Sequence, residues 1–156
     1  MSPDKTTQRD SVQLGGCSGP IYDYIRLVVA DNRYLNRDAE WRIIDNAVFQ
    51  LGMMPLDVKS YLLGAATLSG FSTESMITRV LGDIATRMRA KSSKVSRDQF
   101  NHLVETAIAL SQDRVSKDDA ENLAKAACEG AKLRARRRWM TRRWYDKISP
   151  SKEMSV

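Results

Sequence analysis

The stretch VADNRYLNRDAEW, residues 29–41, separates two apolar runs and combines the carboxylates Asp31, Asp38 and Glu40 with Asn32 and Asn36. Its second half reads as a helix start. An Asn at the N-cap accepts a hydrogen bond from an otherwise unpaired backbone N–H, and an aspartate in the first turn meets the positive end of the helix dipole. The same formula, aliphatic residue, cap, base, aspartate, recurs at Val95-Ser96-Arg97-Asp98 and Val115-Ser116-Lys117-Asp118, with a looser copy at Phe71-Ser72-Thr73-Glu74. The apolar residue ahead of each cap can staple to one further along, Val95 to Phe100 and Phe71 to Met76. Repeated punctuation of this kind predicts a chain of helices joined by short connections.

Working outward, Tyr22, Ile25, Val28 and Val29 recur at helical spacing and predict a first helix over 21–31. Trp41, Ile44, Val48 and Leu51 define the apolar face of a second helix that stops at Gly52. Pro55 opens a third helix that ends near Gly70, since proline lacks only a donor that the first turn leaves unpaired. Ile77, Val80, Leu81, Ile84 and Ala85 mark a fourth; Phe100, Leu103, Val104 and Ala107 a fifth; Ala120, Leu123, Ala124, Ala127 and Cys128 a sixth. No run alternates with the period of a strand. The expectation is an all-α, single-domain bundle of about six helices with a basic C-terminal helix. Residues 1–19 read as a disordered leader, 20–130 as the bundle, 131–148 as the basic aromatic helix and 149–156 as a flexible tail.

The carboxylates of 29–41 also invite a metal reading. An EF-hand loop begun at Asp31 would place Arg33 and Leu35 where oxygen ligands belong, Asn36 at the glycine turn and Arg42 in place of the bidentate glutamate. Cations there would repel the ion. A different likeness is carried by Ala30-Asp31-Asn32-Arg33-Tyr34, then Asp38, Glu40 and the helix WRIIDNAVFQLGM, with a weaker copy at Ser111-Gln112-Asp113-Arg114-Val115-Ser116-Lys117-Asp118-Asp119. This resembles the Ala-Asp-Gly, aliphatic, Ser, acidic motif of tellurite-resistance TerB-like domains, also the middle domain of DnaJ-like cochaperones. The likeness spans about residues 21–130 and implies an all-α domain carrying the motif twice. It also implies a divalent-cation site at these loops, but Asn32 and Asp113 stand where the family has glycine and Gln112 where it has its second aspartate. Only Asp31 remains as a weak metal candidate, and no cofactor is expected.

Composition excludes further classes. In 156 residues, 42% hydrophobic and 28% charged, no apolar run approaches the length of a membrane span. Nor is there a secretory-signal layout, so a cytoplasmic, or membrane-peripheral, protein is expected. Two cysteines, Cys17 and Cys128, and a single histidine, His102, give neither a disulfide framework nor zinc spacing. His102, flanked on its helix by Asp98 and Glu105, has no nucleophile placed beside it, and Gly15, Gly16 and Gly19 lack the Lys-Ser/Thr of a phosphate loop. The chain is expected to be non-enzymatic.

The net charge of +6 is unevenly spread. From Lys132 to Val156 there are nine Lys or Arg against Asp146 and Glu153, leaving sixteen basic and seventeen acidic residues in the other 131. On one continuous helix, Leu133, Met140, Trp144 and Ile148 would form a narrow apolar seam, interrupted by Arg137, within a cationic coat. Gly130 marks a break or bend before it. Arg134, Arg136, Arg137, Arg138, Trp139, Arg142, Arg143 and Trp144 are the candidate binding residues for an anionic partner. An acidic protein, a nucleic acid whose bases stack on Trp139 or Trp144, and an anionic membrane surface all fit this chemistry, and the seam offers a route to homo-oligomers. Met53 and Met54 would suit an adaptable protein-binding surface. Together these features predict a binding or regulatory module.

Overall fold

The computed structural model describes residues 19–30, 33–135 and 143–148. Within them, seven helices and four two-residue strands succeed one another. They are α1 (Pro20–Val29), β1 (Tyr34–Leu35), α2 (Arg37–Leu51), α3 (Pro55–Ser69), β2 (Ser72–Thr73), α4 (Glu74–Lys91), β3 (Lys94–Val95), α5 (Arg97–Leu110), α6 (Lys117–Gly130), β4 (Arg134–Ala135) and α7 (Arg143–Asp146). The fold is an all-α bundle.

The starts of α2, α5 and α6 follow the cap formula, while α1 and α3 open on proline without a side-chain cap. Asn36 Oδ1 accepts the Ala39 N–H at 2.9 Å. Ser96 and Gln99 form a reciprocal capping box, and the Ser116 hydroxyl accepts the Asp119 N–H at 3.1 Å. At the fourth junction the cap is Thr73 rather than Ser72, because Ser72 is committed elsewhere: its hydroxyl donates to the Leu110 carbonyl at 2.5 Å. Gly52 and Gly70 end α2 and α3 in the left-handed conformation, at φ 63° and 68°, which a residue without Cβ adopts at little cost.

The short strands, which carry no periodic signal in the sequence, expose an internal repeat. β1 pairs in parallel with β2, Tyr34 beside Ser72 and Leu35 beside Thr73; β3 pairs in parallel with β4, Lys94 beside Arg134 and Val95 beside Ala135. Each pair closes a helix–strand–helix–helix–strand unit. Adding 60 to the buried residues Ile21, Ile25, Leu35, Ile43, Ile44 and Ala47 reaches Leu81, Ala85, Val95, Leu103, Val104 and Ala107, all buried too. After a two-residue increase between the paired helices, Val58, Leu62, Ala65, Ala66 and Phe71 correspond to the buried Ala120, Ala124, Ala127, Cys128 and Leu133. Gly70 and Lys132 then coincide as left-handed residues, at φ 68° and 57°. The structural counterpart of residues 30–38 is therefore 90–98. The stretch Ser111–Asp119 forms the turn between α5 and α6 and the first residues of α6.

Each unit builds its own apolar cluster, one around Ile25, Ile43 and Val58, the other around Leu81, Leu103 and Cys128. Polar contacts tie the two together: Ser72 to the Leu110 carbonyl, and Gln112 Nε2 donating to the Gly70 carbonyl at 2.9 Å. Two expected faces shift. α2 buries Glu40, Ile43, Ile44 and Ala47 and leaves Trp41 and Leu51 exposed, while α6 buries Lys125 and leaves Leu123 only partly covered.

The basic helix expected over 131–148 does not begin at 131, where residues 131–135 form a turn and β4, and residues 136–142 lie outside the described residues. Among the described residues of 131–148 only Arg143–Asp146 are helical. α6 ends at Gly130, where Lys132 N–H bonds to the Glu129 carbonyl and Leu133 N–H to the Cys128 carbonyl at 2.8 Å. This turn drives Leu133 into the core and turns the chain into β4. The seam is thus not one helix face: Leu133 and Ile148 are buried and Trp144 packs on the second cluster from separate elements, while Met140 lies outside the described residues. No described helix is long and apolar enough to cross a membrane.

Candidate anion-binding surface

Of the candidate binding residues, Arg134 is exposed on β4, Arg143 opens α7, and Trp144 is half-buried. Arg136, Arg137, Arg138, Trp139 and Arg142 lie outside the described residues, as does Asp31. The structure adds cations that sequence reasoning passed over. Lys94 is the ladder partner of Arg134, and Lys91 and Arg97 lie three residues to either side of Lys94; all are exposed, as is Lys132. The signal was present, since residues 87–97 hold five Lys or Arg and no acid. Dividing the chain at Lys132 averaged those charges into a neutral body.

Geometry fixes this end of the molecule. β3 and β4 each place their second residue, Val95 or Ala135, toward the core, so Lys94 and Arg134 project outward together. The Arg134 N–H donates to the Ser93 carbonyl at 3.0 Å and the Lys94 N–H to the Ser92 hydroxyl at 3.1 Å, which holds the two segments in place. Exposed carboxylates nearby in sequence are Asp98 and Glu129.

The described aromatic residues of the tail, Trp144 and Tyr145, are engaged within the fold. Trp144 meets the ring of Phe100 edge-on at 5.1 Å and that of Tyr145 at 5.5 Å, and the Arg97 guanidinium lies 6.0 Å from its centroid. Tyr145 is buried against Phe100 at 5.7 Å. The buried Lys125 lies over the Tyr145 ring at 5.5 Å and donates to the Ile148 carbonyl at 2.8 Å, anchoring the C-terminal segment. Burial, reinforced by Cys128, pushes the Tyr145 phenol well above its ordinary range. Cys128 is a free, fully buried thiol, pushed up to about 11 by burial and, secondarily, by Glu129.

Within the 29–41 stretch, Glu40 serves structure. Glu40, buried on α2, accepts the Ser75 N–H at 2.8 Å and the Ser75 hydroxyl at 2.5 Å. In return Glu74, the first residue of α4, accepts the Arg37 N–H at 3.0 Å and the Tyr34 hydroxyl at 3.4 Å. Each helix therefore supplies the carboxylate that caps the other's N-terminus. The Tyr34 phenol is pushed up by burial and then by Glu74. Among the described residues no three His, Cys, Asp or Glu side chains are grouped to hold a metal, and His102 is exposed on α5. No family model, curated protein or solved structure matches this chain.

Proposed function

We propose that the chain is a non-enzymatic binding module of the TerB-like kind, whose cationic C-terminal region engages an anionic partner. The observation that carries this reading is the pairing of Lys94 with Arg134, which joins the charges of the C-terminal region to those at the α4–α5 junction. Like charges opposite one another in a ladder cost roughly 0.2–1 kcal/mol, so the isolated fold gains nothing from them. The other unit supports the same inference, because Tyr34 and Ser72 build an equivalent ladder with no charge at all. The TerB-like assignment draws support from the all-α architecture and from Asn36 capping α2 where the motif places a helix start.

A truncation at Gly130 is a poor test, since Leu133, Tyr145 and Ile148 belong to the core. Charge neutralisation avoids that fault. The full chain should be retained on immobilised dextran sulfate to higher salt than the variant Arg134→Gln/Arg136→Gln/Arg137→Gln/Arg138→Gln. Elution of both proteins at the same salt concentration would overturn the reading.

A further inference from the structure

We infer that the anionic partner is a nucleic-acid duplex, held by its phosphates at the β3–β4 end of the second unit. This inference rests on the proposed anion-binding role and names its partner. Arg89, Lys91, Lys94, Arg97, Lys132 and Arg134 are exposed on two short segments that the β3–β4 ladder lays side by side, with only Asp98 and Glu129 as neighbouring acids in the sequence. The remaining exposed or half-exposed residues of the junction are mainly Ser92, Ser93, Ser96 and Gln99. Lys and Arg among hydroxyl and amide side chains are the donor set that contacts phosphate and sugar oxygens.

What the described residues of the face lack separates the candidate partners. Protein interfaces gather exposed apolar and aromatic anchors into a dry centre, and membrane-surface segments present Trp, Phe or Leu beside their cations. Among the described residues, the large exposed apolar side chains fall elsewhere, on Leu27, Trp41, Phe49, Leu51, Met54, Leu56, Tyr61, Leu63, Leu68 and Val80. Single-stranded nucleic acid is bound through aromatic platforms, but among the described residues of the C-terminal segment the aromatic ones, Trp144 and Tyr145, are packed against Phe100. A rigid polyanion read only by its charge remains, and a duplex backbone supplies it.

The packing of the two segments also explains why the sequence conceals the site. Lys94 and Arg134 are distant in the chain and become neighbours only through a two-residue ladder. Arg97 stays exposed while its guanidinium lies 6.0 Å from the centroid of the Trp144 ring.

The test is fluorescence anisotropy of the full chain with a labelled DNA duplex, with poly-L-glutamate and phosphatidylserine vesicles as alternative polyanions, at several salt concentrations. Wild-type affinity for the duplex should fall about 10²–10³-fold between 50 and 200 mM salt, as expected for roughly five phosphate contacts. The variant Lys94→Gln/Arg134→Gln, with its unfolding midpoint checked against wild type, should bind more weakly and lower the log–log salt slope by about 2. An unchanged slope in that variant overturns the inference. Preference for poly-L-glutamate or vesicles overturns the nucleic-acid assignment and leaves the anion-binding role standing. Binding to none of the three overturns both. Tighter binding of a single strand, with quenching of tryptophan fluorescence, replaces phosphate contact by base stacking and also overturns it.

Discussion

The first unit, α1 to β2, and the second, α4 to β4, share a backbone plan and differ in what they present to solvent. Where the first exposes Leu27, Phe49, Met54 and Leu56, the second has Arg87, Ala109, Ser116 and Asp118. Where the first has Tyr34, Gly70 and Ser72, the second has Lys94, Lys132 and Arg134. Most buried positions, in contrast, keep their apolar character, although the buried Glu40 stands where the second unit has the buried Phe100. A residue type found in one unit but dispensable at the same place in the other is not demanded by the fold. This sorts side chains better than exposure does, because it identifies charges that packing would not select.

If the units share one plan, equivalent core positions should be equally costly to disturb. Ile43 and Leu103 are both fully buried. Ile43→Ala and Leu103→Ala should each destabilise the chain by about 2–5 kcal/mol. Denaturant unfolding followed by far-UV circular dichroism and by tryptophan fluorescence should give one coincident transition, since α4 joins the units and polar contacts cross between them. Two separate transitions, each sensitive to one substitution, would break the single-domain reading and turn the repeat into two domains.

A smaller effect sharpens a core position where the units differ in chemistry. Ala66 corresponds to Cys128, whose thiol is raised in the folded state from 9.0 to about 11. The raised value means that folding disfavours the thiolate. The stabilising bias is complete below about pH 9 and is lost as pH rises toward 11. A rise of that size corresponds to at most about 3 kcal/mol, less with relaxation of the site. Cys128→Ala, which installs the residue of the first unit, should therefore flatten the loss of stability between pH 9 and 11, although Tyr34 and Tyr145 contribute to the loss as well. An identical pH profile for wild type and variant would show that the thiol does not respond to its burial.

Much of this architecture was legible because caps and helix periods are local. Asn36, Ser96 and Ser116 were identifiable as caps from four-residue windows, and each accepts the hydrogen bond expected of it. What escaped depends on non-local partners. A two-residue strand has no period, so Lys94 beside Arg134 cannot be read from either segment alone. Helical spacing alone places Trp41 on the apolar face of α2, yet Glu40 takes the buried place because Ser75, 35 residues away, offers it two hydrogen bonds. Lys125 is buried for a comparable reason, since the Ile148 carbonyl and the Tyr145 ring receive its ammonium. The break at Gly130 was visible, but not that Leu133 would enter the core in the manner of Phe71. The charged surface was seen only on the side of the chain where its residues are consecutive.

The smallest expected change in stability is the most informative about function. Lys94→Tyr combined with Arg134→Ser would place the residues of the first ladder, Tyr34 and Ser72, on the backbone of the second. Exposed substitutions away from caps and packing usually shift stability by less than about 0.5 kcal/mol, and relief of the like-charge pair acts in the favourable direction. The unfolding free energy should therefore stay the same or rise slightly, while retention on dextran sulfate weakens. A loss of more than about 2 kcal/mol would place these cations in the structural framework, through contacts of their aliphatic stems with the core. The two ladders would then cease to be interchangeable, and charge at Lys94 and Arg134 would no longer argue for a partner. Unchanged stability with weakened retention would separate the two properties at the positions where the units diverge, because the backbone would be satisfied by either residue pair and only the charged pair would serve binding.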